Sequence, residues 1–187
     1  VGYNGSLLQT NDGGSNWTIQ SSGTTMPLNA VSFFDANNGM AVGYMGTIIR
    51  TTDGGETWND QSLGVETPLY ALCFIGPETA TVVGGSGEIY KTTDDGLTWI
   101  KQRSEANTVL IMVRYSDENN GIAIGKYGEF LNFLHTTDGG SNWIKKDYRD
   151  MERSWWATSF TNDDNGTVVG ERGLIRRTTD GGLTWET

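Results

Sequence analysis

Apolar and polar residues alternate through NAVSFF (29–34), and the short β-prone runs GMAVGY (39–44), GTIIRT (46–51) and ETWNDQS (56–62) follow. Period-two runs bounded by turn residues predict strands, here A to D of one unit. The A–B links DANNG, GPETA, SDENNG and TNDDNG suit tight hairpins, because Asn-Gly tolerates positive φ at both central positions. Glycine pairs at 2/5, 43/46, 84/87, 125/128 and 170/173 predict the B–C turns. Strand C carries adjacent apolar residues, Leu7-Leu8, Ile48-Ile49 and Ile89-Tyr90, so both of its faces must be covered. A sheet sandwiched between two neighbouring sheets meets that requirement.

The unit recurs. TNDGGSNW (10–17), TTDGGETW (51–58), TTDDGLTW (92–99), TTDGGSNW (136–143) and TTDGGLTW (178–185) place Asp12, Asp53, Asp94, Asp138 and Asp180 at spacings of 41, 41, 44 and 42 residues. Such a period marks a repeat architecture. Four short antiparallel strands per repeat, stacked face to face, predict an all-β propeller. The repeats run over about 1–28, 29–69, 70–110, 111–155 and 156–187 of a single domain, the first and last incomplete. The eight-residue motif falls between strands C and D, where its Thr and Asp oxygens can hold backbone N–H groups and its glycines permit positive φ. Trp17, Trp58, Trp99, Trp143 and Trp185 then open strand D as core anchors, one per blade.

Composition narrows the functional classes. Net charge is −10, but residues 1–100 hold 10 Asp/Glu and 2 Lys/Arg, whereas 101–187 hold 13 and 11. An acidic chain argues against nucleic acid, whose binding rests on clustered cations. No apolar run approaches the roughly 20 residues of a membrane span, and no leader is visible in VGYNGSLLQT. One cysteine, Cys73, provides no disulfide and no thiolate metal site, and it reads as a small core residue. The expectation is no metal and no cofactor.

The pattern Ser/Thr-x-Asp-x-Gly-x-x-Trp resembles the Asp-box, or bacterial neuraminidase repeat. Its extended form, VGxxGxIxRTTDGGxTW, is similar to the propellers of photosystem II stability/assembly factors. That resemblance covers the whole chain and implies a seven-bladed ring, an extracytoplasmic location (periplasmic, secreted or thylakoid lumen), and a non-catalytic scaffold whose client polypeptide can belong to a membrane-protein complex. It also implies a basic patch facing the client, for which the matching positions are Arg50, Lys91, Arg176 and Arg177. The alternative is a carbohydrate-active propeller, sialidase-like or xyloglucanase-like. The sialidase Arg-Ile-Pro signature is missing, and Glu88, Glu129 and Glu171 beside the B–C turns are the available acids for a carboxylate pair.

Positions where the repeats disagree supply the remaining candidates. Gln9, Arg50, Lys91, His135 and Arg177 stand three residues before each box aspartate, a polar and mostly basic series expected on one face of the ring, and Arg50, Lys91, Arg176 and Arg177 either face a client or neutralise nearby carboxylates. Arg176 replaces the apolar Leu8, Ile49, Tyr90 and Leu134, and Arg114 replaces Ser32, Cys73 and Ser159. A cation at a core-type position needs a partner or a function. The fourth repeat has three extra residues between Gly125 and Asp138, expected to enlarge a loop, and a long connector carrying Arg149 and Arg153 ahead of Trp155 and Trp156. Arg149, Arg153, Trp156 and the turn residue Arg172 complete the proposed partner surface.

Overall fold

Antiparallel sheets follow one another along the chain in the order the repeats require. The computed structural model describes residues 1–127, 130–146, 155–161, 164–182 and 184–186. The first blade shows β1 (Leu7–Gln9) and β2 (Thr18–Gln20). The second has β3 (Leu28–Phe33), β4 (Gly39–Gly43), β5 (Ile48–Thr51) and β6 (Asn59–Asp60), and the third β7 (Leu69–Phe74), β8 (Ala80–Gly84), β9 (Ile89–Thr92) and β10 (Ile100–Lys101). After β11 (Arg103–Ser104) come β12 (Val109–Tyr115), β13 (Gly121–Tyr127), β14 (Phe130–Thr136) and β15 (Asn142–Lys146) of the fourth. The fifth shows β16 (Trp155–Phe160), β17 (Gly166–Gly170) and β18 (Ile175–Thr178), with Arg177 bridged to Glu186. The fold is a β-propeller.

The core lies between blades, which explains the paired apolar residues of strand C. Ile49 packs with Leu7, Leu28 and Ala41 in the seam between the first two blades, while its neighbour Ile48 joins Val42, Leu69, Val82 and Tyr90 in the next seam. Leu134 turns back toward Val83 and Ile89 of the third blade, and Phe133 turns forward toward Phe160 and Val168 of the fifth. Where only one neighbour is present the rule shows in the exposures: Leu7 is 5% exposed and Leu8 51%.

Two sequence expectations change here. The extra residues of the fourth repeat lengthen the β13–β14 hairpin instead of enlarging a loop, because both strands run seven residues and Gly125 lies within β13. Trp58 and Trp99 precede β6 and β10 by one residue, whereas Trp143 lies inside β15. Blade four is also reinforced at its outer edge, where β11 pairs parallel with β15.

A register shift lies near the start of strand A, after its first residue at Leu28/Ala30, Leu69/Ala71 and Trp155/Ala157 and after its second at Leu110/Met112. The skipped residue is a β-bulge, a device that re-aims a side chain. Asn29 at this position donates from Nδ2 to the Leu69 carbonyl of the next blade at 2.7 Å, and Trp156 holds the same backbone position in β16.

The B–C turns that begin at Tyr3, Tyr44, Gly85 and Glu171 have a type I′ form. Met45 (φ 56°, ψ 37°) and Gly46 (φ 64°) are both left-handed, and Thr47 N–H donates to the Tyr44 carbonyl at 3.0 Å. Methionine is a poor occupant of this conformation, which Asn adopts far more readily. Met45 is half exposed, so little packing is lost by changing it. Met45→Asn is expected to stabilise the chain by about 0.5–1 kcal/mol, seen as a higher urea midpoint at unchanged m-value.

Candidate functional site: box loops and the seams between blades

Each box is closed by its own side chains. In the second copy Thr51 Oγ1 donates to Asp53 Oδ1 at 2.7 Å and accepts Gly55 N–H at 2.9 Å, while Asp53 Oδ1 also accepts Thr57 N–H at 2.9 Å. The Thr–Asp bond recurs in the boxes of Asp12, Asp94, Asp138 and Asp180. These hydrogen bonds favour the ionised carboxylate. The backbone and side chain of Asn16 bring Asp12 down to about 2, and Thr57 leads the lowering of Asp53. Thr98 and Asn142 lower Asp94 and Asp138 in the same way. A carboxylate held ionised and occupied by donors is a turn staple and a poor general acid.

The residue after the box aspartate joins two loops. N–H groups of Gly54, Asp95, Gly139 and Gly181 donate to the carbonyls of Asn37, Glu78, Asn119 and Asp164, each in the A–B turn of the same blade, at 2.9 Å. Box loops and A–B turns therefore share one edge of the propeller. The B–C turns, including exposed Arg172, lie at the opposite strand ends.

From the other side, the preceding blade reaches the same box residue. Gln9 Nε2 donates to the Gly54 carbonyl at 2.7 Å, and Lys91 Nζ donates to the Gly139 carbonyl at 2.6 Å. Arg50 forms an ion pair with Asp95 through a short hydrogen bond. His135 lines a pocket with Asp180 and Gly181 of the fifth blade, again one blade onward. Neutralisation of a carboxylate, the second of the two sequence readings, is seen at Arg50 with Asp95, whereas Gln9 and Lys91 reach backbone carbonyls.

The family model of photosynthesis system II assembly factor YCF48 matches residues 1–154. The chain belongs to that family. A solved structure, YCF48 bound to D1 peptide, matches with TM-score 0.77 at 24% identity, covering 100% of this chain and 62% of that one. YCF48 from Cyanidioschyzon merolae gives TM-score 0.63 at 20% identity, over 100% of this chain and 79% of that one. A GH74 enzyme from Niastella koreensis gives 0.66 at 15% identity, over 100% and 37%. At these identities the structural likeness concerns the fold. No curated protein matches the chain.

The sequence-selected basic residues of this YCF48-family chain occupy distinct settings. Arg50 is 6% exposed and its guanidinium is engaged by Asp95, so the expectation of Arg50 on an open partner surface is corrected. Lys91 is half-buried beneath the Gly139 carbonyl, 6.0 Å from the Tyr115 ring centroid, and desolvation leads the lowering of its pKa. Arg176 takes the strand position whose residues face the preceding blade; it is half-buried, and its Nε is sealed from solvent with no hydrogen-bond partner among the described residues. Arg177 is exposed at the end of β18. Arg149 and Arg153 lie outside the described residues, and Trp156 is described by its backbone alone.

Arg114 stands apart. Its guanidinium lies 5.8 Å from the Phe160 ring centroid across the seam between blades four and five, lining a pocket with Ser116, Asn120, His135 and Asp180. It makes no hydrogen bond or ion pair among the described residues. Five N–H donors at the mouth of a seam, on the edge where box loops and A–B turns gather, are suited to carbonyl or carboxylate groups of an added polypeptide.

The box tryptophans also diverge. Trp143 is 1% exposed and meets Tyr115 edge-on at 5.7 Å. Trp58, Trp99, Trp143 and Trp185 pack into the seam with the preceding repeat, whereas Trp17, in the first repeat of this sequence, is 57% exposed. Its indole N–H still donates to the Gly14 carbonyl at 3.1 Å, as Trp58 does to Gly55. The motif fixes the loop; the adjacent blade supplies the burial.

The acids considered for glycoside hydrolysis have other partners. Glu88 accepts hydrogen bonds from Lys101 Nζ at 2.7 Å and Tyr90 Oη at 3.0 Å, and Glu171 lies 3.5 Å from Arg172 Nε. Glu129 falls outside the described residues. Sequence reasoning missed the partners of the basic series, Asp95 above all. The signal was present in TTDDGLTW, where Asp95 stands at the first box glycine position, filled elsewhere by Gly13, Gly54, Gly139 and Gly181.

Proposed function

We propose that the chain is a non-catalytic scaffold that captures a polypeptide client along the propeller edge formed by box loops and A–B turns. The observation that carries this reading is membership of the YCF48 assembly-factor family. Support comes from YCF48 bound to D1 peptide, which matches across the whole of this chain, from Arg114, half-buried over Phe160 with no hydrogen bond or ion pair among the described residues, and from exposed Arg177. The client is a segment of a membrane-protein complex, met in an extracytoplasmic compartment such as the thylakoid lumen. Arg149, Arg153 and Trp156, in the sequence between the fourth box and strand A of the fifth repeat, are proposed as further client contacts, and Arg176 supports the surface from the seam. Arg172 belongs to the opposite edge and is left out of the contact.

The test is titration of a fluorescent D1 peptide by anisotropy. Arg114→Ser, which installs the residue found at positions 32 and 159, and Arg177→Glu are each expected to weaken binding about tenfold, in the range of an interface hot spot. Binding should also weaken as salt rises. Full-strength capture by the double variant, with circular dichroism unchanged, would remove this edge as the client surface. Release of reducing sugar from xyloglucan by the same preparation would favour the hydrolase reading instead.

A further inference from the structure

The polar residue three places before each box aspartate is matched to the chemistry of the next blade's box. In the seam between blades one and two the box presents Gly54, and Gln9 bonds its carbonyl at 2.7 Å while Gln20 Nε2 holds Gln9 Oε1 at 2.8 Å. In the seam between blades three and four the box presents Gly139, and Lys91 bonds its carbonyl at 2.6 Å. The intervening seam differs on both sides at once. Its box presents Asp95, left-handed at φ 66°, and the preceding blade presents Arg50. The Asp95 carbonyl is taken by Gln61 Nε2 at 3.3 Å, so Arg50 meets the carboxylate instead.

Glycine would be the unstrained residue at position 95, as it is in the other four boxes. Asp costs conformational energy there, and a buried guanidinium is costly without its counter-charge. Each residue is unfavourable alone and accommodated by the other. We infer that this series forms a set of inter-blade clasps, and that Arg50–Asp95 is a matched exchange of the Gln–Gly clasp, specifying which blade edge seats against which box. The inference stands independently of the client reading.

The experiment is a double-mutant cycle in urea. Arg50→Gln and Asp95→Gly are each expected to reduce the folding equilibrium constant about 10- to 100-fold, the size of effect that follows when one partner of a buried pair is removed. The double variant, which recreates the arrangement of Gln9 with Gly54, should return to within about threefold of the parent. Losses that simply multiply in the double variant would overturn the inference. Should Arg50→Gln fail to fold, the reverse transplant decides: Gly54→Asp should destabilise the first seam and added Gln9→Arg should restore it, and no restoration counts against the clasp. Arg50→Gln/Asp95→Gly is further expected to bind the D1 peptide as the parent does. Lost capture at restored stability would place Arg50 on the client surface and overturn its assignment as a clasp.

Discussion

Trp143→Ala is expected to lower the free energy of unfolding by about 3–5 kcal/mol, the range for a fully buried aromatic, whereas Trp17→Ala should change it by less than about 1 kcal/mol. The two residues end almost identical motifs, TTDGGSNW and TNDGGSNW. What differs is the surroundings. Trp143 lies in the seam cluster with Val83, Ile89, Leu110 and Leu134, beside the β11–β15 pairing, and its ring meets Tyr115 edge-on. Trp17 keeps its indole hydrogen bond to Gly14 but leaves most of its surface in water. Urea unfolding of both variants, with the m-value checked for constancy, separates the contributions. Equal losses would mean that the tryptophan acts through its own loop, and that packing between blades contributes little.

Stability is expected to fall as pH drops from about 6.5 to about 4, on the order of 3 kcal/mol in total, through His135. Burial lowers the pKa of this imidazole to about 4, with Lys146 adding to the lowering and Asp180 opposing it, and Arg114 lines the same pocket. The folded state therefore resists a proton that the unfolded chain takes up below its ordinary value. The contribution is complete above about 6.5 and lost as pH approaches the folded value. The box carboxylates behave differently: their pKa values are lowered by hydrogen bonds, so their share is lost only below the ordinary carboxylate range. His135→Gln, the residue that Gln9 supplies at the first clasp, should flatten the profile between 6.5 and 4 and leave the more acidic limb. A profile unchanged by the substitution would assign the loss to other groups.

The two results bear on function through the same seams. Arg114 and His135 open into the pocket between blades four and five, so acidification that charges His135 also adds a cation beside the proposed client surface. Arg50 and Lys91, basic in sequence, are drawn into seams by the next box. A count of cations would have assigned all four residues one role. Their neighbours separate them: Arg50 and Lys91 bond the next box, while Arg114 and His135 line the pocket between blades four and five.

Much of this protein was determined locally. The period of about 41 residues and the Thr-Asp-Gly-Gly loops specify strands and turns over a few residues each, because turn chemistry and side-chain-to-backbone hydrogen bonds act at short range. The A–B turns are held differently from the Asn-Gly expectation, by Asp35 and Asp117 accepting backbone N–H groups of Asn37, Asn38, Asn119 and Asn120, while Gly39 and Gly121 open the following strands without positive φ. That is why the propeller, the placement of the box between strands C and D, and its role as a joint could all be read from the chain. The tertiary structure decided what depends on the next blade: that Trp143 is sealed and Trp17 open, that the fourth repeat's extra residues become strand, and that Arg50 belongs to Asp95, 45 residues away. Burial and ion pairing are set by whichever surface packs opposite, and identical repeats do not carry that information in their own letters.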